Sequence, residues 1–199
     1  MRRAQGRKSS LADIATRQPE VGERFSVVIL GGTALYARDG KWLAGAIQRI
    51  QGVIEDVLRE NLLVARNHLE KLVRERLEED LNDRVLGAVL GRSLRMGRTA
   101  VFPCLTVYGR IFRMYFSTSS IELLNSKLEL LEDLLREKAA VSVAAAQSAC
   151  FPELEWGTQF ISKQMLAHLA YVGRAVFVDQ DLFTSPLPSL RDAFGNPRK

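Results

Sequence analysis

The sequence predicts a mainly α (α+β) fold: long amphipathic helices packed with a small antiparallel β element. Three observations carry that expectation. Apolar residues recur every three or four positions from Leu43 to Leu72 and again from Ile121 to Leu135, the period of a helix buried along one side. A β-branched run from Arg24 to Leu30 meets Gly31-Gly32 and is followed by a second apolar run, Thr33 to Arg38. Paired glycines accept the positive φ angles of a two-residue hairpin turn. Finally, 47% of the 199 residues are hydrophobic and 26% charged, a balance that supports a globular core without cross-links.

Along the chain, residues 1–22 are expected to form a flexible basic arm, residues 23–183 a single domain and residues 184–199 a proline-containing tail. Asp39-Gly40 punctuates the chain after the hairpin, and the seam from Leu43 to Leu72 predicts one long helix carrying an extra-residue stutter. Its continuation, Arg66 to Arg84, mixes both signs of charge, as a solvated helical face does. Glu78, Glu79, Asp80 and Asp83 lack the Asp/Asn and Gly positions of a calcium loop. A break is expected near Asn82 and Asp83. From Val85 the apolar spacing resumes, with Gly87 and Gly91 four apart, leaving room for another helix to approach, and Gly97 placed as a C-terminal cap.

Leu105 to Phe116 (LTVYGRIFRMYF) has the aromatic and β-branched content of sheet, interrupted by Gly109 at a bulge or turn. Ser119 and Glu122 form the pattern of a capping box, from which a helix is expected to run to about Ala149, before Pro152. Thr158 is placed to cap one more helix ending near Gly173, and Arg174 to Val178 reads as a short strand.

Charge is the feature that bears on function. From Val85 to Ile121 there is no Asp or Glu, while Arg92, Arg95, Arg98, Arg110 and Arg113 fall inside. This segment contributes +5 and residues 1–18 contribute +4, whereas residues 19–84 and 122–199 contribute −2 each to the net +5. Charge confined in this way makes a local positive field that attracts polyanions.

Catalytic chemistry finds little to work with. His68 sits in the charged helix and His168 on an apolar one, and neither belongs to a metalloprotease or nucleophile-elbow motif. His68 reads as a surface residue and His168 as a packed or interfacial one. Cys104 and Cys150 have no CxxC partner and read as small buried hydrophobes in a reducing compartment. The glycine pair lacks the spacing and the Lys-Ser/Thr of a P-loop. The chain is therefore not expected to be an enzyme, nor to hold a metal or cofactor. No long apolar run follows the basic N-terminus, and Ala139 to Phe151 is shorter than the ~20 residues that span a bilayer. A soluble intracellular protein, cytoplasmic or nuclear, or one packed within a virion, is expected.

Three readings of the arginines remain. In the first, Arg92, Arg95, Arg98, Arg110 and Arg113 contact phosphates of RNA or single-stranded DNA as paired-donor forks. Tyr108 and Tyr115 then stack on bases, and Arg2, Arg3, Arg7 and Lys8 of the arm assist. No pattern for sequence-specific readout occurs. In the second, the same residues lie on an anionic membrane surface. In the third, acid-rich helices pair with these arginines within one molecule or across a homo-oligomer, leaving a helical scaffold with no polyanion ligand. The long helical seams favour self-association. A basic arm, a basic middle and packing helices together match the physical design of a small structural nucleic-acid-binding protein, such as a viral nucleoprotein or matrix protein. That first reading is the one expected.

Overall fold

The computed structural model describes residues 9–19, 24–153 and 157–186. The arm residues Arg2, Arg3, Arg7 and Lys8, and the tail beyond Pro186, lie outside them. The described chain is a helical α+β structure whose strands form small sheets. It divides into two compact units. One holds the described residues up to Ala100 together with Tyr115–Ser119, and the other holds Val101–Met114 together with the described residues from Ser120 onward.

In the first unit, β1 (Ser26–Leu30) and β2 (Thr33–Ala37) pair antiparallel, from Ser26 opposite Ala37 to Leu30 opposite Thr33. Gly31 and Gly32 both take positive φ, 55° and 83°, so the glycine pair makes the expected turn. Asp39 then caps α1 (Gly40–Glu60), its Oδ1 accepting from the Lys41 and Trp42 amides at 2.8 and 3.1 Å. Those bonds satisfy N–H groups that the first helical turn cannot. Leu43, Ile47, Ile50, Ile54 and Leu58 are buried, one face of the helix, as their spacing requires.

The periodic stretch from Leu43 to Leu72 is two helices, not one. The chain leaves α1 at Asn61, whose backbone is extended and whose Nδ2 donates to the Val57 carbonyl at 2.8 Å. It passes through β3 (Val64–Ala65) and enters α2 (Arg66–Leu77). Packing α2 back on α1 lets Leu69, Val73 and Leu77 enter the same hydrophobic core as Ile50 and Ile54. Each buried aliphatic side chain contributes roughly 1.5–3 kcal/mol, which a straight helix would forgo over its second half.

Asn82 caps α3 (Asp83–Arg95), where a break was expected. The helix ends in a Schellman motif: Arg98 N–H donates to Ser93 O and Gly97 N–H to Leu94 O, both at 3.1 Å. Gly97 sits at φ 67°, the left-handed cap conformation that glycine adopts without a Cβ clash.

β4 (Thr99–Leu105) and β5 (Ile111–Ser117) join β3 in a sheet of order β3-β5-β4. Both strands are divided between the two units. The expected strand from Leu105 to Phe116 is thus the tip and return of a hairpin, with Gly109 at φ 74° in its turn.

In the second unit, α4 (Ile121–Glu137), α5 (Val143–Cys150) and α6 (Thr158–Tyr171) pack on one another. β8 (Leu182–Thr184) lies between β6 (Val141–Ser142) and β7 (Val176–Phe177), antiparallel to both. Leu124, Leu131, Leu135, Met165, Leu166 and Phe183 are buried.

Three boundaries differ from expectation here. The helix expected to reach Ala149 stops at Glu137, because β6 must be extended to pair with β8, and Ser142 restarts the helix by accepting the Ala145 amide at 3.2 Å. No capping box forms at α4: Ser119 Oγ bonds Ser117 Oγ at 2.7 Å, and the cap residue, Ser120, makes no side-chain bond. Gly157, at φ 90°, caps α6, and Thr158 is its first residue. No helix among the described residues is long and apolar enough to cross a membrane.

Candidate functional site

The five arginines do not share one environment. Arg92 and Arg95 lie in the last turn of α3, where a cation offsets the negative end of the helix dipole by about 0.3–1 kcal/mol. Among the described residues neither meets a carboxylate. Arg98 does: its Nη1 donates to Glu55 Oε1 at 3.0 Å. Burial pushes the Glu55 carboxyl up, but hydrogen bonds from Gln51 and Arg98 outweigh it and hold the group below its usual value. Arg98 is thus ion-paired within its own unit, to a residue 43 positions away in sequence, which makes it less available to a phosphate than an arginine with no carboxylate partner.

Arg95 is placed by its surroundings. Side chains on a helix lean toward its N-terminus, so Arg95 folds back over Gly91, one turn earlier. A Cβ on Gly91 would stand 3.6 Å from Arg95 Nη1, and one on Gly31 would stand 2.8 Å from Nη2. The guanidinium therefore lies between the hairpin turn and α3 at the edge of a cavity of about 340 Å³. Gly87, Ala88 and Gly91 form the α3 side of this cavity, and Arg66, Asp83 and Arg84 also line it. The close approach that Gly87 and Gly91 permit is to guanidinium groups: a Cβ on Gly87 would stand 3.4 Å from Arg66 Nη2.

Two of the cavity's charges are already committed. Arg66 Nε donates to Glu70 Oε1 at 2.8 Å, and Asp83 pairs with Arg74. Arg84 and Arg95 meet no carboxylate among the described residues. Arg84 also lines a second cavity, of about 460 Å³, with Arg17, Asn82, Thr16 and Ile14. Arg17, Arg66 and Arg84 are the residues that the sequence did not single out. Arg66 and Arg84 sit among acids in the chain, which hid them from a reading of sequence charge.

In the second unit, Arg110 closes the β4–β5 turn and Arg113 is exposed on β5. The turn is held by Thr106: its N–H donates to Arg110 O at 2.8 Å, and its Oγ1 accepts the Arg110 amide at 3.0 Å. Tyr108 stands at the tip, 79% exposed, with Val107 and Ile111 also in water. Arg110 and Arg113 have no carboxylate partner among the described residues. Tyr115 behaves otherwise. It is 8% exposed within the hydrophobic core of the first unit, so it is corrected from a base-stacking residue to a core residue.

His68 is exposed and His168 is packed. The His168 Nδ1 lies 2.7 Å from the Pro103 carbonyl, and its ring stacks on Phe102 at 4.0 Å. Both cysteines are buried thiols. Among the described residues no three His, Cys, Asp or Glu side chains group as a metal site would require.

Compared with protein-family models, with curated proteins and with solved structures, the chain matches none.

Proposed function

We propose that this chain is a self-associating structural protein that binds RNA or single-stranded DNA through phosphate contacts. One observation supports the reading most. Arg92, Arg95, Arg110 and Arg113 keep guanidiniums without carboxylate partners among the described residues, while Arg49, Arg59, Arg74, Arg76, Arg136 and Arg174 are ion-paired. The paired carboxylates are committed to other cations, which supports taking these four guanidiniums as available to an external anion. Tyr108 beside Arg110 adds an exposed ring on which a base can stack. Val27 and Ile29 on β1, and Leu123 and Leu130 on α4, add exposed apolar surface that a second copy can cover.

A salt titration tests this. Binding of a labelled oligouridylate should weaken steeply with salt, and R110Q/R113Q should flatten the log–log slope by about 1.4, roughly 0.7 for each single-strand phosphate contact removed. No binding at low salt rejects the reading.

A second reading, an anionic membrane surface, draws on Val107, Tyr108 and Ile111 standing exposed beside the same two arginines. Apolar side chains flanked by cations suit the headgroup boundary. It predicts co-sedimentation with phosphatidylserine vesicles but not with neutral ones, and no affinity for oligouridylate.

A further inference from the structure

We infer that the two cavities of the first unit are one basic groove that seats consecutive phosphate groups, with Arg95, Arg84 and Arg17 as its phosphate-binding side chains. The inference deepens the phosphate-binding reading above and rests on it, but it assigns the contact to residues outside the charge island, Arg17 and Arg84, and to a defined concave surface.

Continuity comes first. Arg84 lines both cavities, and Asn82 and Asp83, consecutive in the chain, line one each. The two hollows therefore border the same Arg84 side chain at the start of α3. Their volumes, about 340 and about 460 Å³, compare with about 30 Å³ for one water in the liquid, so the groove has room for more than a single small anion.

Charge comes second. The described carboxylate lining the groove, Asp83, is held by Arg74, and Arg66 is held by Glu70. Arg17, Arg84 and Arg95 remain, none with a carboxylate partner among the described residues. Three like charges around one concavity repel one another and focus a positive potential into it. A bound anion relieves that repulsion, and an anion with repeated charges relieves it at more than one place.

Shape selects phosphate. The guanidinium is a planar fork that engages phosphate oxygens in pairs. Beside Arg95 the wall is glycine, Gly31 on the hairpin and Gly87 and Gly91 on α3, which brings backbone rather than side chains to the groove surface. The Arg95 guanidinium lies over that wall, close to where a Cβ on Gly31 or Gly91 would stand, with its donors open to an anion.

The experiment uses the full chain with two probes, labelled oligouridylate and tripolyphosphate. Arg84→Gln and Arg95→Gln should each weaken oligouridylate binding about threefold to tenfold at low salt and flatten its salt slope by about 0.7. Tripolyphosphate should raise the melting temperature of the wild type and not that of R84Q/R95Q.

A charge-neutral variant, Gly91→Leu, separates the groove from general electrostatics. A Cβ at Gly91 meets ordinary contact distance, and leucine favours a helix over glycine. This variant should lose affinity by obstruction, with its melting transition measured alongside to show that it folds.

Oligouridylate affinity and slope unchanged in R84Q, R95Q and G91L, but reduced in R110Q/R113Q, overturns the groove and leaves the proposed function standing. A wild type that ignores oligouridylate yet is stabilised by tripolyphosphate through Arg84 and Arg95 supports the groove as a site for free polyphosphate and overturns the polynucleotide reading. Indifference to both probes overturns the two together.

Discussion

Glu79 Oε2, beyond the end of α2, accepts the backbone N–H of Leu11 at 2.9 Å, 68 residues earlier in the chain. The same oxygen accepts from Ser10 Oγ at 3.3 Å, and Oε1 pairs with Arg49. One carboxylate thereby fastens the segment that carries Leu11 and Ile14 into the core and that brings Arg17 to the groove.

Glu79→Ala is expected to cost about 1.5–3 kcal/mol, the usual worth of hydrogen bonds to a charged group, read as a lower urea midpoint. The Leu11 N–H, opposed by burial and assisted by Arg49, holds the Glu79 carboxyl below its usual 4.5. A depressed carboxylate contributes stability that is present above its unfolded pKa and lost as pH falls through the folded one. The difference between wild type and variant should therefore shrink below pH 4.5 and persist unchanged at neutral pH.

His168 has the opposite chemistry. Burial pushes the imidazole below its ordinary 6.5, outweighing the Pro103 carbonyl, and Arg174 adds to the lowering. The neutral ring, with Nδ1–H donating to Pro103 O, fits its stacked place on Phe102. Because the unfolded chain binds this proton more readily, the contribution is complete above about pH 6.5 and declines as pH falls through the folded pKa. Melting followed by near-ultraviolet circular dichroism should show a loss between pH 7 and 5 that His168→Gln reduces. An equal pH dependence in the variant would assign the loss to other groups.

Local signals in the chain were readable where a residue type has a single conformational use. Gly31-Gly32 made the hairpin turn, Asn82 began α3 and Gly97 closed it, since each meets a backbone requirement that few residues satisfy. The break at Asn61–Ala65 was not readable, because those residues include no glycine or proline and Leu62 continues the helical period. Periodicity reports which side chains are buried, and two helices folded on each other bury the same side chains as one long seam. Ala139–Ser142 was hidden for a similar reason: a run of small residues tolerates helix, and pairing with Leu182 and Phe183 decided otherwise. At the candidate site, the absence of acids from residues 85–121 located Arg92, Arg95, Arg110 and Arg113 but could not reveal that Glu55 reaches Arg98. Tyr115 shares a strand face with the exposed Ile111 and Arg113, yet it falls where β5 has both faces covered.

The two thiols should be inert in the folded protein. Burial raises Cys104 to about 12 and raises Cys150 as well, against an opposing effect of Lys127. At pH 8 the fraction of Cys104 present as thiolate is then on the order of one in ten thousand, and thiolate is the reacting species. Modification by a disulfide reagent should be slow in buffer and fast for both cysteines in denaturant. Rapid labelling of native Cys104 would contradict the packing around it.

Gly31 couples the hairpin to Arg95. At φ 55° an alanine is strained, and its Cβ would also meet the Arg95 guanidinium, with Nη2 at 2.8 Å and Cζ at 3.0 Å. Gly32, at φ 83°, faces open space, so its alanine variant meets only the backbone cost, about 1 kcal/mol or more. Gly31→Ala should cost more than Gly32→Ala, and the excess should vanish when Arg95 is also replaced by alanine, since that deletion removes the obstructing atoms. A double-mutant cycle measures the coupling directly. If Gly31→Ala and Arg95→Ala prove additive in urea denaturation, the guanidinium does not rest against the turn, and Arg95 is not held at the mouth of the groove.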